Sequence, residues 1–267
     1  MFKTVMKLVK RIARINAKHR EVGYDKSTTS IVIAGVENGW AGKCPGSLLD
    51  ADNMVSLFKK TADNFDITVL KDKQATTTAW TSAVKNAVKK DLAIIYYSGH
   101  GGQDTSHNLG KANFEDDNAN EFICLYDKPL LDDKIWNLIN QSTGRVVCIW
   151  DCCHSATMFR TVNLTKRKTF NDFSGFLFAK SLLFAAQSKR DFSGMSLWNL
   201  SGCPDNEYSY GDANGGLLTN AILKYAKDYL TYDEVWKEIK SDCNLRKSEA
   251  AQKTEIGKPF NDKFFAQ

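Results

Sequence analysis

Two short segments carry side chains that could break an amide bond. His100 stands in Ser98-Gly99-His100-Gly101-Gly102, and Cys153 stands in Asp151-Cys152-Cys153-His154-Ser155. A thiolate is a strong nucleophile, and an imidazole can take the thiol proton and later return it. Such a pair suits acyl transfer through a covalent intermediate. The glycines around His100 let the backbone turn sharply and let a substrate carbonyl come close. Each signal alone is weak. A histidine among glycines is often just a turn residue, and a cysteine at a strand end is more often buried structure. Their joint occurrence, 53 residues apart at the ends of two apolar runs, carries the reading. Cys152, Cys153 and His154 leave a second reading open, a thiol-redox or metal-binding protein. Adjacent cysteines suit neither a simple disulfide nor a tetrahedral metal site well.

Those two runs are Leu92–Tyr97 and Arg145–Trp150. Apolar runs without alternation are what parallel strands buried on both faces look like. Ser30–Val36, Asp66–Leu70 and Ser181–Ala186 read as further strands, and Phe260–Ala266 as an edge strand. Helical spacing predicts Leu48–Thr61, Thr77–Lys90 with Thr77 as a cap, Asp132–Asn140, Gly215–Lys227 and Tyr232–Lys240. Strand and helix alternate, so right-handed crossovers and a mainly parallel sheet flanked by helices are expected. In such sheets the working crevice lies at the carboxyl ends of the strands, where both reactive segments fall.

The chain has 267 residues, 43% hydrophobic and 25% charged, which is ordinary for a folded α/β protein. Its net charge of +5 is concentrated at one end. Residues 1–20 hold seven Lys/Arg and no Asp/Glu, and the rest holds 29 basic and 31 acidic residues. The basic pI therefore describes an N-terminal extension, residues 1–28, and no nucleic-acid partner is expected for the body, residues 29–267. Within the extension, Phe2, Val5, Met6, Val9, Ile12 and Ala13 recur at helical spacing between basic residues. This pattern predicts an amphipathic helix that packs on the domain, detaches as a leader, or meets a membrane surface. Charges at Lys7, Lys10, Arg11 and Arg14 interrupt any secretory apolar core, and no run reaches the ~18 apolar residues of a membrane span. The seven cysteines include no CxxC pair and do not form an even framework, so a reducing, cytoplasmic setting is expected.

The reactive segments also carry a family resemblance. Tyr97-Ser98-Gly99-His100-Gly101-Gly102 resembles the histidine motif of metacaspases and related caspase homologues, and Asp151-Cys152-Cys153-His154-Ser155 resembles their cysteine motif. Gly46-Ser47-Leu48-Leu49-Asp50-Ala51-Asp52-Asn53-Met54 is similar to the start of their first helix. Asp205–Gly211, Gly215–Thr219 and Thr231-Tyr232-Asp233-Glu234 resemble their small-subunit half. The resemblance covers roughly residues 30–266. It departs at Ala156, which replaces the usual closing glycine, and at Ser47, where many relatives have cysteine.

The resemblance implies a caspase-like three-layer α/β sandwich, large-subunit-like to about residue 165 and small-subunit-like from about 175. It implies a cysteine endopeptidase with Cys153 as nucleophile, Cys152 as structure and His100, not His154, as the base. The N–H groups of Gly101 and Cys153 would hold the oxyanion. Asp50, Ser98 and Asp151 would line the pocket for the residue before the scissile bond, and two carboxylates there favour Arg or Lys over Asp. The basic run Lys166-Arg167-Lys168 falls where relatives join their subunits, so self-cleavage there is expected. The chemistry requires no cofactor. Calcium dependence, as in several metacaspases, would draw on acidic residues such as Glu115, Asp116 and Asp117. A monomer is expected. A catalytically inactive caspase-like scaffold is the principal alternative.

Overall fold

The computed structural model describes residues 29–61, 65–104, 120–154, 196–201, 211–226, 232–245 and 252–257. In chain order the elements are β1 (Thr29–Gly35), the short hairpin β2 (Asn38–Gly39) and β3 (Gly42–Lys43), α1 (Ser47–Thr61) and β4 (Asp66–Lys71). Then come α2 (Thr77–Ala87), β5 (Leu92–Asp104), β6 (Asn120–Cys124), β7 (Pro129–Leu131), α3 (Asp132–Ile139) and β8 (Arg145–His154). β9 (Ser196–Ser201), β10 (Gly211–Asp212), β11 (Gly215–Gly216), α4 (Leu217–Tyr225), α5 (Tyr232–Leu245) and β12 (Gln252–Gly257) follow.

The main sheet runs β12-β9-β8-β5-β1-β4, with β6 and β7 appended beyond β5. The strands from β9 to β4 are mutually parallel, whereas β12, β6 and β7 pair antiparallel. From β1 the chain passes outward to β4, then returns across β1 to β5 and continues to β8. That reversal puts a topological switch between β1 and β5, where a crevice opens at the strands' carboxyl ends.

The apolar runs are buried on both faces, as expected. On one face Trp80, Val84 and Ala87 of α2 and Ile135, Trp136 and Ile139 of α3 cover Val32, Ala34, Ile95, Tyr97, Cys148 and Trp150. On the other, Ala51, Met54 and Phe58 of α1, Leu218 and Ile222 of α4, and Val235 and Ile239 of α5 cover Ile31, Ile33, Ile94, Tyr96, Val147 and Ile149. Burial of each large aliphatic side chain contributes about 1.5–3 kcal/mol, so the two layers hold the central strands firmly in register. This is the three-layer sandwich expected from the sequence.

Several boundaries differ from the sequence reading. Thr76, not Thr77, caps α2, its hydroxyl accepting from the Ala79 N–H at 3.2 Å. Thr77 instead gives its own N–H to the Asp127 carboxylate at 2.7 Å. β5 does not turn at the glycines but stays extended to Asp104. β6 pairs with Gly101–Asp104 on one edge and β8 runs alongside as far as Gly101 on the other, so ladder bonds continue past His100. The glycines matter for space: a Cβ at Gly99 would collide with the Tyr97 hydroxyl. The expected strand at residues 181–186 lies outside the described residues; β8 is flanked by β9, which the sequence did not announce. β9 escaped notice because Asn199 interrupts its apolar pattern. Its carboxamide oxygen accepts from the buried Trp150 indole at 2.6 Å, which satisfies both groups. β12 forms one edge of the sheet, and the expected edge strand at 260–266 lies outside the described residues. No described helix is long and apolar enough to cross a membrane.

Candidate active site

Four elements converge at the carboxyl ends of the central strands. Gly35, the last residue of β1, pairs with Ser98 of β5, which pairs with Asp151 of β8. Two residues further along the same ladder, His100 pairs with Cys153. α1 begins close by because Gly35 has no side chain; a Cβ there would collide with the Ser47 carbonyl and the Ala51 methyl. That approach sets Asp50, in the first turn of α1, over Ser98.

The imidazole of His100 is held by the backbone. Its Nε2 lies 3.0 Å from the Lys43 carbonyl oxygen in β3. A carbonyl only accepts, so Nε2 carries the proton and Nδ1 the lone pair in the neutral ring. Nδ1 is screened from solvent and has no hydrogen-bond partner among the described residues. A buried basic nitrogen without a partner is suited to receive a proton from a nucleophile. The Tyr97 hydroxyl pins the strand beneath it, lying 2.8 Å from the His100 carbonyl and 2.7 Å from that of Cys124.

The cysteines sort by environment. Cys152 is buried in the apolar core with Trp150 and Cys148. Burial pushes the Cys148 thiol far up, and it lifts the Cys124 thiol to about 12 with help from nearby Cys44. Thiols with so little thiolate are poor nucleophiles. Cys153 is described through its backbone alone, as the register partner of His100.

Asp50, Ser98 and Asp151 are brought together, as the sequence reading expected, and all three are at most 5% exposed. Ser98 donates its hydroxyl to Asp50 at 2.8 Å, and the Gly216 N–H donates to the same carboxylate at 3.0 Å. Asp151 accepts from the Thr219 N–H at 2.8 Å and from the Thr219 hydroxyl at 2.5 Å. Thr219 spends its proton there, so the Tyr96 hydroxyl, 2.6 Å away, donates to Thr219. The N-terminus of α4 thus faces Asp151, and its dipole favours negative charge on that carboxylate. Only glycines allow β11 to press so close: Gly215 has φ +98°, and Cβ atoms at Gly215 and Gly216 would collide with Asp50 and Asp151 respectively.

Burial, reinforced by the Asp151 charge, raises Asp50 from an ordinary 3.8 to about 7, against the opposing pull of the Ser98 and Gly216 hydrogen bonds. A carboxyl whose folded pKa exceeds its unfolded value contributes stability fully below the unfolded value and loses it as pH rises through the folded one. The free protein is therefore expected to lose stability between about pH 4 and pH 7, and Asp50→Asn should flatten that slope. Thermal melts of both proteins across this range check the point; parallel slopes would contradict it.

The sequence reading missed three parts of this site: the Lys43 carbonyl, Thr219 with Tyr96 behind it, and the Gly215-Gly216 approach. Backbone acceptors have no sequence signature, and Thr219 was visible only as part of a resembling segment. Gly101 pairs with Ile123 on one side and His154 on the other. Glu115, Asp116 and Asp117, and Lys166, Arg167 and Lys168, lie outside the described residues, as does the expected subunit junction at about 165–175. Among the described residues no group of His, Cys, Asp and Glu could hold a metal ion.

Comparison with known proteins agrees with this fold. A family model described as a caspase domain matches residues 30–265. No curated protein matches the sequence. Among solved structures, a Geobacter sulfurreducens protein superposes with a TM-score of 0.66 at 24% identity, covering 89% of this chain and 98% of its own. Caspase-1 from Spodoptera frugiperda superposes with a TM-score of 0.57 at 12% identity, covering 90% and 92%. At these identities both likenesses speak for the fold.

Proposed function

The chain belongs to the caspase-domain family of cysteine peptidases, and on that premise we propose that it is an endopeptidase working through Cys153 and His100 after Arg or Lys. One observation carries the reading: His100 and Cys153 are direct partners on adjacent parallel strands, two residues beyond the Ser98–Asp151 pair and beside Asp50. The proposed catalytic pair thus shares one ladder with Ser98 and Asp151, and Asp50 reaches Ser98 from α1.

In the proposed reaction Nδ1 of His100 takes the Cys153 thiol proton. The thiolate adds to the scissile carbonyl, and the tetrahedral intermediate collapses when His100 passes that proton to the leaving amine nitrogen. The C–N bond breaks and a thioester remains. Water, losing a proton to His100, then adds to the thioester, and Cys153 leaves as the thiol. The Lys43 carbonyl keeps Nε2 protonated throughout, so the ring offers the same nitrogen in both half-reactions.

Selectivity would come from Asp50 and Asp151. A guanidinium or ammonium group entering between two buried carboxylates replaces their mutual repulsion with attraction, whereas an aspartate side chain would add a third negative charge. A panel of fluorogenic peptides differing only in the residue before the scissile bond tests this. Turnover is expected after Arg and Lys; turnover confined to Asp would overturn the specificity.

An enzyme of this preference can cut its own basic segments. Incubated wild-type protein is expected to yield fragments ending within Lys166-Arg167-Lys168, and Cys153→Ala should stay whole. Mass spectrometry of the fragments decides, and intact wild type under conditions where peptides are cleaved would count against self-processing.

A further inference from the structure

The grip on His100 leads away from the crevice. Lys43, whose carbonyl holds Nε2, ends the β2–β3 hairpin, in which it pairs with Asn38. Next to that pair, the Cys44 N–H donates to the Glu37 carbonyl at 2.7 Å. Each hairpin strand has two residues, and Asn38, Gly42 and Lys43 are exposed, so apolar burial does little to fix its base. At the tip, Trp40 meets Phe122 edge-on with ring centroids 6.5 Å apart. At the base the Cys44 carbonyl accepts from the Ser47 hydroxyl at 3.0 Å on one side, and on the other a carboxylate grips Glu37 and Asn38. Asp72 Oδ1 accepts the N–H groups of Glu37 at 2.8 Å and Asn38 at 2.9 Å, and Oδ2 accepts from the Asn38 carboxamide at 3.2 Å.

Asp72 reaches this position at a conformational cost. Its φ of 41° is the one positive value found outside glycine among the described residues. Strained backbone persists where the surroundings over-determine it, and such positions gather around functional sites. Asp72 directly follows the edge strand β4, and its carboxylate spans the end of β1 to meet the segment that leaves that strand.

We propose that Asp72 is a positioning residue for His100, acting through the hairpin: it fixes Glu37 and Asn38, their cross-strand partners Lys43 and Cys44 follow, and the Lys43 carbonyl sets the imidazole's tautomer and orientation. The inference rests on His100 being the base proposed above. Its effect falls chiefly on proton transfer, because the Asp72 carboxylate bonds only Glu37 and Asn38 among the described residues, and Asp50, Ser98 and Asp151 keep their own partners.

The test compares three full-length variants. Asp72→Gly relieves the positive φ and removes the carboxylate, so the fold is expected to hold while the grip is lost. Asp72→Ser provides a second loss of grip, since one hydroxyl oxygen poorly replaces a carboxylate that receives three donors. Asp72→Asn keeps an acceptor oxygen for both N–H groups and tolerates the left-handed region. For Asp72→Gly and Asp72→Ser, kcat on a basic peptide should fall about 10–100-fold with KM unchanged, the scale expected when a catalytic group is displaced by about an ångström. Nitrogen NMR of the His100 ring, assigned with His100→Asn, should show the Nε2–H tautomer in wild type and a mixture in these two variants. Asp72→Asn should restore both readings to within about threefold of wild type. An unchanged tautomer in the glycine and serine variants, or an asparagine variant as impaired as they are, would overturn the proposal. Wild-type protein that cleaves no peptide would instead defeat the peptidase reading, and the NMR comparison would still judge Asp72.

Discussion

Cys153→Ala is expected to lower peptide hydrolysis by at least about 10⁴-fold, with the fold and the thermal melt nearly unchanged. The nucleophile is the one group that forms a bond to substrate, and the buried cysteines around it cannot replace it. Cys152 points into the apolar core, and burial leaves Cys148 and Cys124 almost without thiolate at neutral pH. His100→Ala should lose nearly as much, and the double variant little more than either single one. Residues acting on the same proton and bond are not additive. Steady-state kinetics of the three variants measure this. Cys152→Ala is the contrasting control: it should retain turnover and lose stability, because a buried side chain has been cut back. Activity surviving in Cys153→Ala but not in Cys152→Ala would reverse the assignment of the nucleophile.

The second large effect is expected at Asp50. Asp50→Asn keeps the side chain's shape and an oxygen for the Gly216 N–H, yet removes the negative charge that Asp50 would take up when a cation binds beside Asp151. Losing one partner of a desolvated charge pair commonly costs 2–5 kcal/mol. kcat/KM for an arginyl peptide should therefore fall about 10²–10³-fold, and an uncharged residue at that position should be far less affected. The pH dependence carries a sign. Free Asp50 holds its proton up to about pH 7, whereas a bound cation favours the ionised carboxylate, so binding releases a proton below that pH. KM for arginyl peptides should fall as pH rises, by up to about tenfold per unit below pH 7, and then level off. In Asp50→Asn the slope should disappear. A wild-type KM independent of pH between 5 and 8 would contradict this role for Asp50.

How much of this could be read from the chain depended on where each signal resides. β1, β5 and β8 announced themselves because strands buried on both faces need unbroken apolar runs. His100 and Cys153 followed because their motifs sit at the ends of two such runs. Asp50, Ser98 and Asp151 were reachable only through resemblance; by itself Asp50 is an ordinary carboxylate in the first turn of a helix. β9 and β12 were not legible in the sequence, for a physical reason. Asn199 is buried only because Trp150, 49 residues away, gives it a hydrogen bond, and β12 has the polar sequence Gln252–Gly257. The extended course of β5 past His100 was hidden by glycines that signal a turn locally, while β6 and β8 enforce a strand. The Lys43 carbonyl and the Asp72 grip are long-range contacts between backbone and side chain. Neither leaves a pattern that a single sequence displays.

The proposed site joins a nucleophile to a pocket for basic side chains. Its most direct test is covalent capture: the protein is treated with an acyloxymethyl ketone bearing an arginyl group, with an aspartyl analogue in parallel, and the adduct is mapped by peptide mass spectrometry. The arginyl reagent is expected to modify Cys153 alone, faster than the aspartyl reagent, and to leave both Cys153→Ala and His100→Ala largely unlabelled. Labelling that spreads over several cysteines, that favours the aspartyl reagent, or that leaves Cys153 untouched would contradict the account.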